Sequence, residues 1–179
     1  NNSKVYGPEK ICFIDIEFWV QFIPIKYRLC SNIDTYIFEG HNIFDRFVTE
    51  RNLEIIDGTT KIESGLYVGG NLMIGDMRNT NPSKANKISI DGPIYVGGDL
   101  YITGANVEFN SLIYVEGSVN VVNSMVSGLK SNEKDGVLVV FADGPISILD
   151  NTFFGVNYPN DIRGFFYSNE KSEQAIKST

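Results

Sequence analysis

The sequence predicts an all-β protein: a single-stranded parallel β-helix, right-handed, with an N-terminal capping segment. Three observations lead there. Strand-like pieces of three or four residues alternate with two-residue turns, the turns recur at a fixed spacing, and one nine-residue motif returns along the chain. Such repetition is the signature of a solenoid, in which each turn of chain buries its apolar side only by stacking on the next.

The turns come first. Ile88-Ser89-Ile90 runs into Asp91-Gly92, Ile94-Tyr95-Val96 into Gly97-Gly98, and Leu100-Tyr101-Ile102 into Thr103-Gly104; Asn110-Ser111 and Glu116-Gly117 continue the series. Glycine reaches positive φ without steric cost, and Asp and Asn tolerate it better than most residues. The second residues of these turns fall at 92, 98, 104, 111 and 117, in steps of 6, 6, 7 and 6, so three steps make a triangular coil of about 19 residues. Hairpins also use two-residue turns, but they do not bring one motif back at every third strand.

Here it does come back. Residues 66–74 (LYVGGNLMI) match residues 94–102 (IYVGGDLYI) almost position for position; residues 113–121 (IYVEGSVNV) and 140–148 (VFADGPISI) are further copies, and Phe166-Tyr167-Ser168 opens a fifth. The aromatic of each copy lies at 67, 95, 114, 141 and 167, in steps of 28, 19, 27 and 26. The step of 19 is the bare coil, and the others exceed it by 9, 8 and 7 residues. Polar insertions of that size stand at 78–87, 129–135 and 157–161. An insertion that leaves a coil intact must exit through a corner as an external loop.

Alternation within the strands marks the core. Ile88, Ile90, Ile94, Val96, Leu100, Ile102, Val107, Phe109, Ile113, Val115, Val119, Val121, Val140, Ile146 and Ile148 read as inward. Ser89, Tyr95, Tyr101, Glu108, Tyr114, Asn120 and Ser147 read as outward. The period of two and the β-branched bias suit half-buried strands. Residues 53–168 are thus read as about five coils and residues 169–179 as a polar C-terminal tail. Residues 1–52 do not repeat and are read as the cap that an open apolar solenoid end requires. Within it, Cys12, Ile14, Ile16, Phe18 and Val20 alternate as a strand does, whereas Ile43, Phe44, Phe47 and Val48 suggest one face of a short helix.

Composition narrows the function. The chain has 179 residues, 15 Lys+Arg against 22 Asp+Glu, and a net charge of −7. That length suits one domain with its own core, and the acidic balance argues against nucleic acid, whose binding needs clustered Lys and Arg. No apolar run nears the roughly 20 residues of a membrane span; the closest, residues 11–25, is broken by Asp15, Glu17 and Gln21. The opening Asn1-Asn2-Ser3, without methionine, suggests a processed or trimmed product, and a signal or anchor cut away upstream would leave no trace in this chain. Cys12 and Cys30 lack the CxxC spacing of a zinc or redox motif. They read as two buried thiols, or as a pair in an oxidising compartment.

The candidate contact site is the aromatic ladder Tyr67, Tyr95, Tyr114, Phe141 and Tyr167. It falls on one outward column with a spacing of roughly 4.8 Å. Such a stripe would stack on sugar rings or dock a protein. The competing and favoured reading lays the N-terminal segment over it, with Phe13, Trp19 and Phe22, because long exposed aromatic ladders are uncommon on monomers. The acids Asp91, Asp99, Asp143 and Asp150 sit at or beside corners and read as turn residues; a polysaccharide lyase or hydrolase would need them clustered. His41, between Gly40 and Asn42, reads as a capping loop residue with no nucleophile elbow near it. No phosphate-binding glycine motif occurs. No catalytic residue, metal site or cofactor is indicated.

The repeats around Tyr95-Val96-Gly97-Gly98-Asp99-Leu100 resemble two groups of bacterial β-helices over residues 62–168. One is the secreted or pilus-assembly-associated surface proteins, whose coils carry variable loops. The other is the bactofilins, polymer-forming cytoskeletal proteins with plain, uniform coils. The insertions and the aromatic-rich head favour the first group. The expectation is a non-enzymatic structural or adhesive module at the cell surface, contacting a protein partner or a surface glycan and presenting loops on a rigid rod. A carbohydrate-binding or carbohydrate-active β-helix and a cytoplasmic cytoskeletal scaffold are the alternatives.

Overall fold

The computed structural model describes residues 4–6, 10–20, 23–32, 35–79, 81–131, 134–149, 161–171 and 176–178. The protein is all-β, with parallel sheets stacked as a solenoid. In an eight-stranded sheet, Asn52–Ile55, Leu72–Gly75, Leu100–Thr103, Val119–Val122 and Ile146–Leu149 lie side by side in parallel. In a nine-stranded sheet, the long strands Gly58–Val68 and Asn106–Val115 each pass two neighbours in turn, Lys87–Asp91 and then Ile94–Val96.

The repeat alignment and the strand register coincide. Tyr67, Tyr95, Tyr114, Phe141 and Tyr167 form one column of hydrogen-bonded neighbours. Leu72, Leu100, Val119 and Ile146 form another. The inward residues are buried, apart from the partly buried Ile148, so each apolar side chain rests on its equivalents above and below. The insertions leave this pairing intact. Residues 78–87 contain a 3-10 turn, Pro82–Lys84, whose start is capped by Asn81. Residues 129–135 hold a small hairpin of Lys130–Ser131 and Lys134–Asp135. Of the third insertion, residues 157–160 lie outside the described residues and Asp161 opens the strand Asp161–Ile162.

Corner glycines are required for two different reasons. Gly92 has φ of +124°, and a Cβ there would lie 2.0 Å from the carbonyl oxygen of Ile62. At Gly98 close approach decides: a Cβ would lie 2.8 Å from the backbone carbonyl oxygen of Gly70 on the preceding coil.

The parallel pairing begins at Thr35–Glu39 and His41–Thr49, before residue 53. It extends past residue 168, because Ile176–Ser178 pairs in parallel with Ile146–Leu149. One expectation is corrected, the short helix at Ile43, Phe44, Phe47 and Val48: residues 41–49 are a strand. The register shifts between Phe44 and Arg46, with the extra residue on the partner strand between Ile62 and Gly65; Phe44 and Phe47, three apart, both pack against the core, which imitates a helical spacing. Phe44 and Phe47 pack with Phe38, with ring centroids 5.2 and 4.9 Å from it, while Ile43 and Val48 are exposed.

Upstream of the stack, Lys4–Tyr6 pairs antiparallel with Thr35–Glu39. Lys10–Val20 and Ile23–Asn32 form an antiparallel hairpin that pairs with no other strand among the described residues. Among those residues no helix is long and apolar enough to cross a membrane.

Candidate functional site

The tyrosine ladder follows directly from the register. Parallel in-register strands repeat one backbone geometry, so equal side chains adopt equal rotamers and meet face to face. Tyr67 and Tyr95 stack with centroids 4.8 Å apart and planes 6° apart, and Tyr95 and Tyr114 at 5.6 Å and 21°. The hydroxyl of Tyr95 donates to Glu116, and that of Tyr114 to Asp143 at 2.6 Å. The accepting carboxylates favour the protonated phenols, so Tyr95 is pushed up to about 12 and Tyr114 is raised as well. Beyond Tyr114 the column continues with Phe141, which meets Phe165 and Tyr167 edge-on at 6.3 and 6.0 Å.

The stacking determines what the ladder can do. Both faces of Tyr95 are covered by its neighbours, and only ring edges reach solvent. Sugar stacking needs an open ring face, which Tyr95 does not have. Exposed Val48 precedes Tyr67 in the column, and exposed Leu112 borders it beside Arg46, Ser64 and Pro93. Further along, Phe165 is 57% and Tyr167 49% exposed. The result is an apolar stripe running along the rod. Of the proposed covering residues, the side chains of Phe13 and Trp19, and the whole of Phe22, lie outside the described residues.

A second ladder runs along a corner. The Asn52 side-chain oxygen accepts from the Asn71 backbone N–H at 2.8 Å, Asn71 from Asp99 at 2.8 Å, and Asp99 from Ser118 at 2.7 Å. Each polar side chain thus joins its coil to the next. The signal was in the sequence, since Asn71, Asp99 and Ser118 share one column of the motif, but it was read there only as turn composition. Other corner acids are held similarly. Asp91 accepts from the Asn110 side-chain amide at 2.8 Å, Asp143 from Tyr114, and Asp99 also from Tyr101 at 3.0 Å, which raises the Tyr101 phenol. Asp150 lies outside the described residues.

The sequence missed one constellation. Glu54, Met73 and Tyr101 share an outward column of the eight-stranded sheet. With Met77 and Thr103 they line a shallow groove. Burial pushes the Glu54 carboxyl up, the charge of Asp76 adds to this, and Arg78 partly offsets it. The Asp76 carboxyl is lowered, chiefly by the Arg78 guanidinium, whose Nε and Nη2 donate at 2.9 and 3.0 Å. Two carboxyls pushed apart in this way can divide acid and ionised roles. However, the Arg78 fork already occupies both oxygens of Asp76. Glu54 precedes the first motif copy, and Asp76 takes the corner position that Gly104 holds in the next copy. His41 opens a strand, opposite Thr59, and is exposed; it does not lie in a loop.

No protein family, characterised protein or solved structure compared with this chain matches it.

Proposed function

We propose that this chain is a non-enzymatic, adhesive structural module of the cell surface: a right-handed β-helix, capped by its N-terminal segment, that engages a protein partner through the face carrying the tyrosine ladder. The observation that carries the reading is the apolar stripe of Val48, Tyr67, Tyr95, Tyr114, Leu112, Phe165 and Tyr167 along one face. Contiguous apolar surface of this kind marks interaction sites, and aromatic residues are enriched at their centres. The corner acids support a non-enzymatic reading, because Asp91, Asp99 and Asp143 serve as hydrogen-bond acceptors within the scaffold. Right-handed coiling agrees with the preference of parallel crossover connections. The cap is assigned from Lys4–Tyr6, which covers the edge of Thr35–Glu39. The surface assignment rests on the resemblance to exported, loop-bearing β-helices.

The test is retention of beads coated with the purified chain on panels of extracellular proteins and glycans. Binding to proteins, abolished by Leu112→Asp, is expected. Binding confined to glycans, or binding indifferent to Leu112→Asp, overturns the reading.

A second reading, a carbohydrate-active β-helix, is favoured by the Glu54 groove alone. It requires Glu54 as proton donor and Asp76 as the ionised partner. A polysaccharide hydrolysis screen decides: turnover lost in Glu54→Gln establishes it, and absence of turnover removes it.

A further inference from the structure

Cys12 and Cys30 are the only two cysteines of the chain. The antiparallel hairpin of Lys10–Val20 and Ile23–Asn32 sets them directly opposite one another. Opposed Cα atoms in an antiparallel pair are roughly 4.5 or 5.5 Å apart, depending on the hydrogen-bonding position. Both values fall within the roughly 4.4 to 6.8 Å that a disulfide spans. Directly opposed residues also share one face of the ribbon.

The alignment depends on an irregularity. From Ile14↔Leu29 to Val20↔Ile23 the pairing follows one register, which if continued would set Cys12 against Ser31. The register shifts between Cys12 and Ile14, and the extra residue, Phe13, sets Cys12 against Cys30. A bulge at that position aligns the two cysteines.

The hairpin has need of a staple. Among the described residues it pairs with neither large sheet, and an isolated two-stranded hairpin is marginally stable at best in water. A cross-link between the strands removes freedom from the opened chain. We propose that Cys12 and Cys30 form an intramolecular cross-strand disulfide that holds this hairpin. One thiolate attacks the S–S bond of a disulfide oxidant, either a small molecule or a disulfide oxidoreductase, and forms a mixed disulfide. The second thiolate then displaces the oxidant's remaining sulfur. The two cysteines lose two protons and two electrons as their S–S bond forms. The oxidant's S–S bond breaks, and it leaves as two thiols. The proposal stands independently of the ladder and its partner.

The full chain is equilibrated in an oxidised glutathione buffer, alkylated, and weighed by intact mass spectrometry before and after reduction. The expected result is no alkylation until reductant is added, a mass two hydrogens below the reduced chain, and a peptide linking Cys12 to Cys30 within one molecule. Two alkylated thiols before reduction, or a covalent dimer, overturn the proposal. Limited proteolysis reads the stapling role: Cys30→Ser and the reduced wild type should be cut within residues 10–32 several-fold faster than the oxidised wild type. Equal cutting overturns that role.

Discussion

The solenoid and the N-terminal hairpin are both made of β-strands, yet they are held in opposite ways. In the solenoid, a residue such as Tyr95 or Leu100 has an equivalent on the coil before and the coil after. Its apolar side is buried against long-range neighbours, and its corners are tied by side chains such as Asn71 and Asp99. In the hairpin, each residue has a single partner on a strand adjacent in sequence. Stability is cooperative where every layer has two neighbouring layers. It is local where a ribbon has only itself. One region is set by stacking, the other by register and two cysteines.

The largest expected effect breaks a stack. Phe109 is fully buried, and Phe109→Ala should cost roughly 3 to 5 kcal/mol by denaturant unfolding. A loss under about 1 kcal/mol would mean that the coil interior is not packed to native density. Next is the corner. Gly92→Ala should cost about 3 kcal/mol, because positive φ and the collision with Ile62 both oppose it. A neutral result would show that the corners yield independently of the layers. Asn71→Ala removes one link of the corner ladder and should cost roughly 1 kcal/mol; equal stability would mean that the columns alone hold the coils together.

Titration sharpens the same contrast on the surface. The Tyr95 phenol is raised to about 12 by its bond to Glu116. A raised pKa means that this contribution is complete below the ordinary tyrosine value, near 10, and is lost as pH rises through about 12. Ultraviolet difference absorbance should show a tyrosine ionising well above the ordinary value, and Glu116→Gln should bring that transition down. The smallest effect falls on the hairpin. Leu29→Ala should shift the main unfolding transition by less than about 0.5 kcal/mol, since the hairpin pairs with neither large sheet. A shift as large as that of Phe109→Ala would show the hairpin to be part of the core.

The repeat was legible because one geometry recurs and the same residues recur with it. The alignment of residues 66–74, 94–102, 113–121 and 140–148 is the register that the strands adopt. The ends were less legible. Phe44 and Phe47, three apart, both pack against the core across a register shift, and a period of three or four is ordinarily read as helix. Residues 169–179 lack corner glycines, yet Ile176–Ser178 extends the eight-stranded sheet.

Of the candidate site, the aromatic column was read from the sequence, residue for residue. The face-to-face stacking of Tyr67, Tyr95 and Tyr114, which closes both faces of Tyr95 to a sugar, was not. Nor was the groove that Glu54 lines with Met73, Met77, Tyr101 and Thr103, whose members come from successive coils. Periodicity by itself determined the solenoid, its inward residues and its outward columns, because each follows from neighbours at fixed spacing. Only the tertiary structure decided which side chains meet across coils, as in the asparagine ladder and the carboxylates on Tyr95 and Tyr114, and that the hairpin register sets Cys12 opposite Cys30. Those depend on distances between strands far apart in sequence or on a single bulge, and no local pattern encodes them.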